Sequence, residues 1–444
     1  MAIALSGGTV ITSIDPPRLH AADVLVEGPR VATVGPPLAS DGAPRLDCSG
    51  CLIVPGNVCA HTHLYSALAR GMPYRLPPPA NFVQILQRVW WRLDRALDEE
   101  SIRASALVGG IEALLAGTTT VVDHHASPAA IDGSLDVVAD ALEEVGIRSS
   151  VCYEVSDRDG PERAAAGIDE NRRFLSTNER PLVRGMVGAH ASFTLSDDTL
   201  AGCVEAAREA GAGIHIHVAE DLADQADSQA RFAKPAVDRL AEAGALTHRA
   251  LLAHCVHVHP SEIGRILDLE PTVAHNARSN MHNAVGRAPV EALGDRVALG
   301  TDGIGADMFA ESQAAFWRAR EDRTGEAASA TLRRLAQGAA FAGRAFDEPA
   351  LGRIEPGAPA DLVVLDYQPP APLTVEGLAG HWLFALGSRH VRDVLVAGEM
   401  VVRERRTTRV DQDKVAADAA GAAERLWERT GAIGPHPFEP ATGS

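Results

Sequence analysis

The sequence predicts an α/β protein, a (β/α)8 TIM-like barrel carrying a small β-sandwich assembled from the N- and C-terminal segments. Three observations lead there. Between residues 55 and 352, eight short apolar runs alternate with alanine-rich stretches of helical spacing. The flanking pieces, 1–54 and 353–410, read instead as short strands separated by turns. Each of the eight central runs also ends in an ionisable residue, and barrel enzymes carry their chemistry at the C-terminal ends of the strands.

The first segment offers GGTVITSI, ADVLVEG, RVATVG and CLIVPG, and the last offers ADLVVLDY and VRDVLVAGEMVVRE. Neither set alone is enough for a stable sheet, so the two are expected to pair. The central strands are NVCAHTH, TTTVVDHH, RSSVCYEV, RGMVGAHA, GIHIHVAE, ALLAHCVH, PTVAHNAR and RVALGTDG, separated by helical runs such as SIRASALVGGIEALLAG and SLDVVADALEEVG. The closing segment, 411–444, reads as a helix over DKVAADAAGAAERLWER and a loose tail, GPHPFEPATGS.

Composition narrows the function classes. A chain of 444 residues exceeds the ~300 that one domain usually holds, consistent with a large domain and a small one. Acidic residues outnumber basic ones 59 to 41, for a net charge of −18. That balance argues against nucleic acid and anionic membranes as partners, because both need a clustered positive surface. No apolar run is long enough to span a bilayer, and the first residues lack a secretory leader. Six cysteines are too few for a disulfide scaffold, and Cys48 and Cys51 lack the following helix of a redox motif. A cytoplasmic enzyme with a small-molecule substrate is expected, as a homo-oligomer with a dimer favoured.

His61-Thr62-His63 closes the first strand, and period-two alternation sets both imidazoles on one face. About one such HxH pair is expected by chance in a chain with this many histidines, so the pair alone decides nothing. Its companions do. GIHIHVAE adds His217 with Glu220 three residues on, and TDG places Asp302 at the end of the last strand. Three histidines and an aspartate suit one divalent metal per chain, zinc first and iron second, with a coordination position left for water. His254 ends the sixth strand within reach of that water, whereas His215, deeper in its strand, reads as an interior hydrogen-bonded histidine.

PGxxxxHTH, HVAE, LLAHCVH and TDG, in that order, resemble the amidohydrolase superfamily, in its deaminase and chlorohydrolase branch. AHTHLYSALARGM, QRVWWRLDRALDEE, DHHASP, CYEVSDRDG, HASFTLSD and HIHVAEDLAD are similar to the SsnA-type aminohydrolases, from about Val54 to Trp427. The resemblance implies a distorted barrel with a sandwich from both termini and metal ligands His61, His63, His217 and Asp302. It also implies that Glu220 and His254 assist proton transfer and orient the attacking hydroxide. Binuclear relatives bridge two metals with a carboxylated lysine before the HxxE motif. Here the one barrel lysine, Lys234, follows it, so the site is expected to be mononuclear. One departure stands out: relatives read HNPxSN after the seventh strand, where this chain has HNARSN, and Arg278 is expected to be a surface arginine.

The expected activity is metal-dependent hydrolytic deamination of an amino-substituted nitrogen heterocycle, a purine such as guanine or an oxidised purine. Glu220, His254 and Asp302 are the expected catalytic residues, the last also a metal ligand. Arg70, His125, Glu154 and His190 are the candidate substrate contacts, with Trp90 and Trp91 read as packed core in a possible lid. Ring-opening hydrolysis of a cyclic amide uses the same machinery and remains an alternative. A metal-stabilised binding barrel without chemistry has no use for Glu220 and His254, and structural metal sites are usually closed by cysteine.

Overall fold

The computed structural model describes residues 2–36 and 42–441; residues 37–41, and the end of the tail at 442–444, lie outside it. Eight parallel strands form the barrel: β1 (Asn57–Thr62), β2 (Thr118–His125), β3 (Arg148–Val155), β4 (Val187–Ala191), β5 (Ile214–Val218), β6 (Leu251–His254), β7 (Thr272–His275) and β8 (Val297–Leu299). They follow one another in sequence order around the sheet. Between β8 and β1 the ring is joined by a parallel bridge, Thr62 to Asp302, and by the N–H groups of Thr301 and Asp302 donating to the His61 carbonyl at 2.7 and 3.0 Å. The fourth predicted run is divided: Val183–Gly185 pairs with β3, and the chain resumes as β4.

Strands from both termini share one nine-stranded mixed sheet. Its seam is the antiparallel pairing of Leu52–Pro55 with Leu362–Leu365, with Leu365 opposite Leu52. Alternation divides the seam between two cores. Ile53, Leu362 and Val364 pack with Leu5, Val24 and Leu395 inside the sheet's own core. Leu52, Val54, Val363 and Leu365 join the core of the barrel. Burying each such side chain is worth roughly 1.5–3 kcal/mol, and a one-residue slip would exchange the two faces, so the register is strongly specified.

The helix Glu99–Leu115 follows the lid segment, and Gln412–Ala432 packs against it, with Trp427 Nε1 donating to the Leu68 carbonyl at 2.7 Å. The tail beyond that helix is not loose, contrary to expectation. His436 is only 4% exposed, and its N–H donates to the Gln87 carbonyl at 2.9 Å. Gln87 Nε2 returns bonds to the Phe438 carbonyl and to Glu439, both 2.8 Å, and the Ala441 N–H meets Asp227 at 2.7 Å. Polar residues and prolines hid an anchor made by backbone hydrogen bonds and two aromatic side chains. Among the described residues, no helix is long and apolar enough to cross a membrane.

Candidate active site

Three strand ends bring His61, His63, His217 and Asp302 together, with their potential ligand atoms within 4.8 Å of one another. The Nε2 atoms of His63 and His217 are 3.1 Å apart, and Asp302 Oδ1 lies 3.1 Å from His63 Nε2 and 3.6 Å from His61 Nε2. Each imidazole is held by its other nitrogen. His63 Nδ1 donates to the His124 carbonyl at 2.6 Å and His217 Nδ1 to the His190 carbonyl at 2.7 Å. His61 Nδ1 donates to His215 Nε2 at 2.8 Å, and His215 Nδ1 faces Cys152 Sγ at 3.6 Å. These bonds leave the Nε2 lone pairs pointing inward, the tautomer a metal ligand needs.

The charges agree. Burial pushes His61 down to about 3 and His217 well below the ordinary histidine value, so both are neutral donors. Burial opposes ionisation of Asp302, yet the facing imidazoles of His61 and His63 hold it well below the usual carboxylate range; against burial, Asp302 in turn pushes His63 up to about 9 when no metal is bound. The buried His61 Nε2 has no hydrogen-bond partner. Lone pairs and a carboxylate converging on one point repel unless a cation lies between them, so the donor set fits a divalent metal.

Glu220 and His254 stand beside this cluster. Glu220 Oε2 is 3.4 Å from His254 Nε2, and Asn283 Nδ2 donates to Glu220 Oε1 at 3.1 Å. His254 Nδ1 donates to Asn280 Oδ1 at 2.8 Å, and the Ser279 hydroxyl donates to Asp302 Oδ2. Burial raises the Glu220 carboxyl to about 7; His254 and Asn283 oppose the shift and the Asp302 charge adds to it. Ala219, His254 and Asp302 have positive φ values of 45°, 76° and 55°. Non-glycine residues seldom adopt that conformation, which here marks the strand ends that carry Glu220, His254 and Asp302.

The adjoining cavity is walled by Tyr65, Phe82, Leu86, Trp90, Trp91 and Phe193, with Glu154, His190 and Asn283 among its polar lining. The two tryptophans are thus both packed and cavity-forming; Trp91 is 1% exposed, and Phe438 of the tail packs on it. Of the four predicted substrate contacts, Glu154 and His190 line this space. Arg70 does not: it turns outward to an ion pair with Glu112. His125 is buried beneath the site, with its Nε2 on Ser127 Oγ at 2.9 Å. His125 is the last residue of β2, where strand parity sets it on the opposite side from His124, and Arg70, beyond the end of β1, is drawn off by Glu112 of the helix Glu99–Leu115. Arg278 is neither a free surface residue nor a cavity residue, because buried Glu311 holds it at 2.6 Å.

Ser279, Asn280 and Asn283 were not singled out by sequence reasoning, although HNARSN contains two of them. Arg158 and Asp94 also escaped it. Arg158 lies between Glu154 and Asp94, donating to Glu154 Oε1 at 2.7 Å and to Asp94 Oδ2, with all three side chains buried.

A barrel whose strand ends gather His61, His63, His217 and Asp302, with Glu220 and His254 beside them, is the scaffold of a metal-dependent hydrolase. Residues 52–401 match the amidohydrolase family model, and the chain belongs to that family. It is a hydrolase acting on C–N bonds, in the deaminase branch of the superfamily. Similar proteins include the 5'-deoxyadenosine deaminase of Methanosarcina mazei, 28% identical over 97% of this chain and 99% of that protein. The 5-methylthioadenosine/S-adenosylhomocysteine deaminase of Desulforudis audaxviator is 32% identical over 91% of this chain and 95% of its own. The crystal structure of an adenosine deaminase from Xanthomonas campestris with bound zinc superposes with a TM-score of 0.82 at 25% identity, covering 96% and 98% of the two chains. Atrazine chlorohydrolase from Arthrobacter aurescens, at 23% identity and a TM-score of 0.80 over 95% and 100%, shares the fold.

Proposed function

We propose that this protein hydrolytically deaminates an aminopurine, with guanine and oxidised purines as the first substrates to try. The observation that carries the reading is the juxtaposition of the His61–His63–His217–Asp302 cluster with Glu220 and His254 at the floor of an aromatic cavity. The deaminase relatives support the reaction, and their names point to purine substrates. His61, His63, His217 and Asp302 would hold a single ion, which we assign as zinc. Bound there, it would supply a Lewis acid that makes water nucleophilic at neutral pH. Lys234 is paired with Glu242 at the surface, which supports one metal rather than a carbamate-bridged pair.

The chain's own groups divide the proton work. Asp302, oriented by the Ser279 hydroxyl, takes the proton of the attacking water. Glu220, with an affinity for protons near neutrality, carries one to a ring nitrogen and then to the departing amine. His254, kept by Asn280 with Nε2 facing inward, orients the nucleophile and receives the Glu220 proton between steps. The aromatic walls sandwich a flat ring and exclude bulk water.

Ammonia release by zinc-loaded protein from guanine, 8-oxoguanine, adenine, adenosine and 5'-deoxyadenosine tests the reading, with Asp302→Asn as the blank. Ammonia from at least one purine is expected, with a loss of more than about 10³-fold in the variant. Full activity of Asp302→Asn would remove the assignment, and a ring-opened product without ammonia would replace deamination by cyclic-amide hydrolysis.

A further inference from the structure

We propose that His215 and Cys152 are positioning residues of the metal centre, forming a one-way hydrogen-bond chain that fixes the tautomer in which His61 can bind a cation. The proposal rests on the metal reading above and deepens it.

The three imidazoles of the cluster are held by different means. His63 and His217 each donate from Nδ1 to a main-chain carbonyl, at 2.6 and 2.7 Å. A carbonyl only accepts, so both tautomers are settled in one step by the backbone. His61 has another imidazole as its partner, His215 Nε2 at 2.8 Å. A neutral imidazole nitrogen can donate or accept, so the direction of that bond has to be set further along.

His215 Nδ1 meets Cys152 Sγ at 3.6 Å, and the same sulfur lies 3.5 Å from the Asp123 carbonyl oxygen. The thiol has one hydrogen and the carbonyl has none, so the thiol donates to Asp123 and its sulfur accepts from His215 Nδ1–H. That order leaves a lone pair on His215 Nε2, puts the hydrogen on His61 Nδ1 and leaves a lone pair on His61 Nε2. In the reversed order the thiol donates to His215, His215 donates to His61, and His61 Nε2 carries the hydrogen. That N–H would be buried without an acceptor, because His61 Nε2 has no hydrogen-bond partner and Asp302 Oδ1 stands 3.6 Å away. Burying an unpaired N–H is costly, so the forward order is the stable one.

The chain is sealed from solvent. His61, Cys152 and His215 are each fully buried, so bulk water cannot supply a missing donor or acceptor. The sulfur is not itself a ligand position. His124, the third donor beside Cys152 and His215, spends its Nε2–H on the His215 carbonyl at 3.1 Å and offers no lone pair there. Side chains from β3 and β5 thus do for His61 what the backbone does for His63 and His217.

The test reads metal affinity in place of turnover. The full chain is stripped with a chelator and titrated with zinc against a competing indicator. Cys152→Ala removes the acceptor and is expected to weaken zinc binding about tenfold or more, whereas Cys152→Ser, which still donates and accepts, stays within about threefold of the unaltered protein. His215→Leu and His215→Gln form a second pair with the same order, since the Gln amide oxygen can accept from His61. Cobalt(II) in place of zinc is expected to give a visible spectrum that changes in Cys152→Ala and is restored in Cys152→Ser. The metal-free unaltered chain supplies a measurement independent of variant folding, long-range proton–nitrogen correlation of isotope-labelled histidine. His215 is expected there as the Nδ1–H tautomer, and the Nε2–H tautomer overturns the proposal. Equal zinc affinity in all four variants overturns it too, as does equal loss in Cys152→Ala and Cys152→Ser, which would make the sulfur a space-filler. An unaltered chain that binds no zinc removes the metal reading itself, and the proposal with it.

Discussion

Glu220 holds its proton differently in the folded and unfolded chain, and that difference can be measured. Burial raises its carboxyl from an ordinary 4.5 to about 7. A folded-state value above the unfolded one stabilises the fold below about pH 4.5, and that contribution is lost as pH rises through about 7. Glu220→Gln should therefore flatten part of the fall in Tm of metal-free protein between pH 5 and 8, as read by calorimetry at several pH values. An unchanged slope would mean that the carboxyl titrates normally. Gly300 shows a different constraint at this scale: a Cβ there would sit 2.4 Å from Asn276 Oδ1 and 2.8 Å from His61 Cβ. The residue before Thr301-Asp302 must be glycine for His61 and Asp302 to approach.

At the scale of elements, one short helix does most of the positioning. Ala277–His282 and the residue after it direct Ser279 to Asp302, Asn280 to His254 and Asn283 to Glu220. Three groups from three different strands are thereby indexed to a single rigid piece. The C-terminal tail plays the corresponding role for the cavity wall, bracing Trp91 through His436 and Phe438 at ring separations of 5.2 and 5.7 Å. Deleting residues 433–444 should leave metal content and far-UV dichroism unchanged, because Gln412–Ala432 keeps its own packing. The KM for the substrate should rise about tenfold or more, since wall residues displaced by an ångström misplace the ring. A truncated protein with unaltered KM would show that the tail is only a surface tether.

For the whole molecule, the site doubles as a keystone of the barrel. The ligands proposed for the metal come from β1, β5 and the turn after β8, and the junction between β8 and β1 is made by the backbone around His61 and Asp302. A cation that binds the folded chain alone should stabilise it by mass action, about 2.7 kcal/mol at a hundredfold excess over Kd. Chelation is expected to lower Tm by several degrees and restored zinc to recover it, in calorimetry with and without the chelator. The same treatment should leave the Tm of His61→Ala nearly unmoved.

The family and the four-ligand cluster were legible because they depend on local rules. Period-two alternation puts His61 and His63 on one face, strand ends in barrels point into one mouth, and apolar runs at regular spacing define the eight strands. His215 could likewise be placed in the interior from its depth in β5, and the structure puts it behind His61. What depends on contacts far apart in the chain was not legible. Arg70 and His125 share the spacing of functional residues but point away, and Arg158 becomes significant only when Asp94, from a lid 64 residues earlier, closes over it. The tail was misread for the same reason: nothing local in GPHPFEP says that Gln87 and Trp91 wait for it. The sequence by itself determined the fold class, the family and the residues that gather at the strand ends, because hydrophobic period and residue type are local properties. Only the tertiary structure decided which side chains face the cavity, because left-handed strand ends, lid packing and buried charge pairing exist only once distant segments meet.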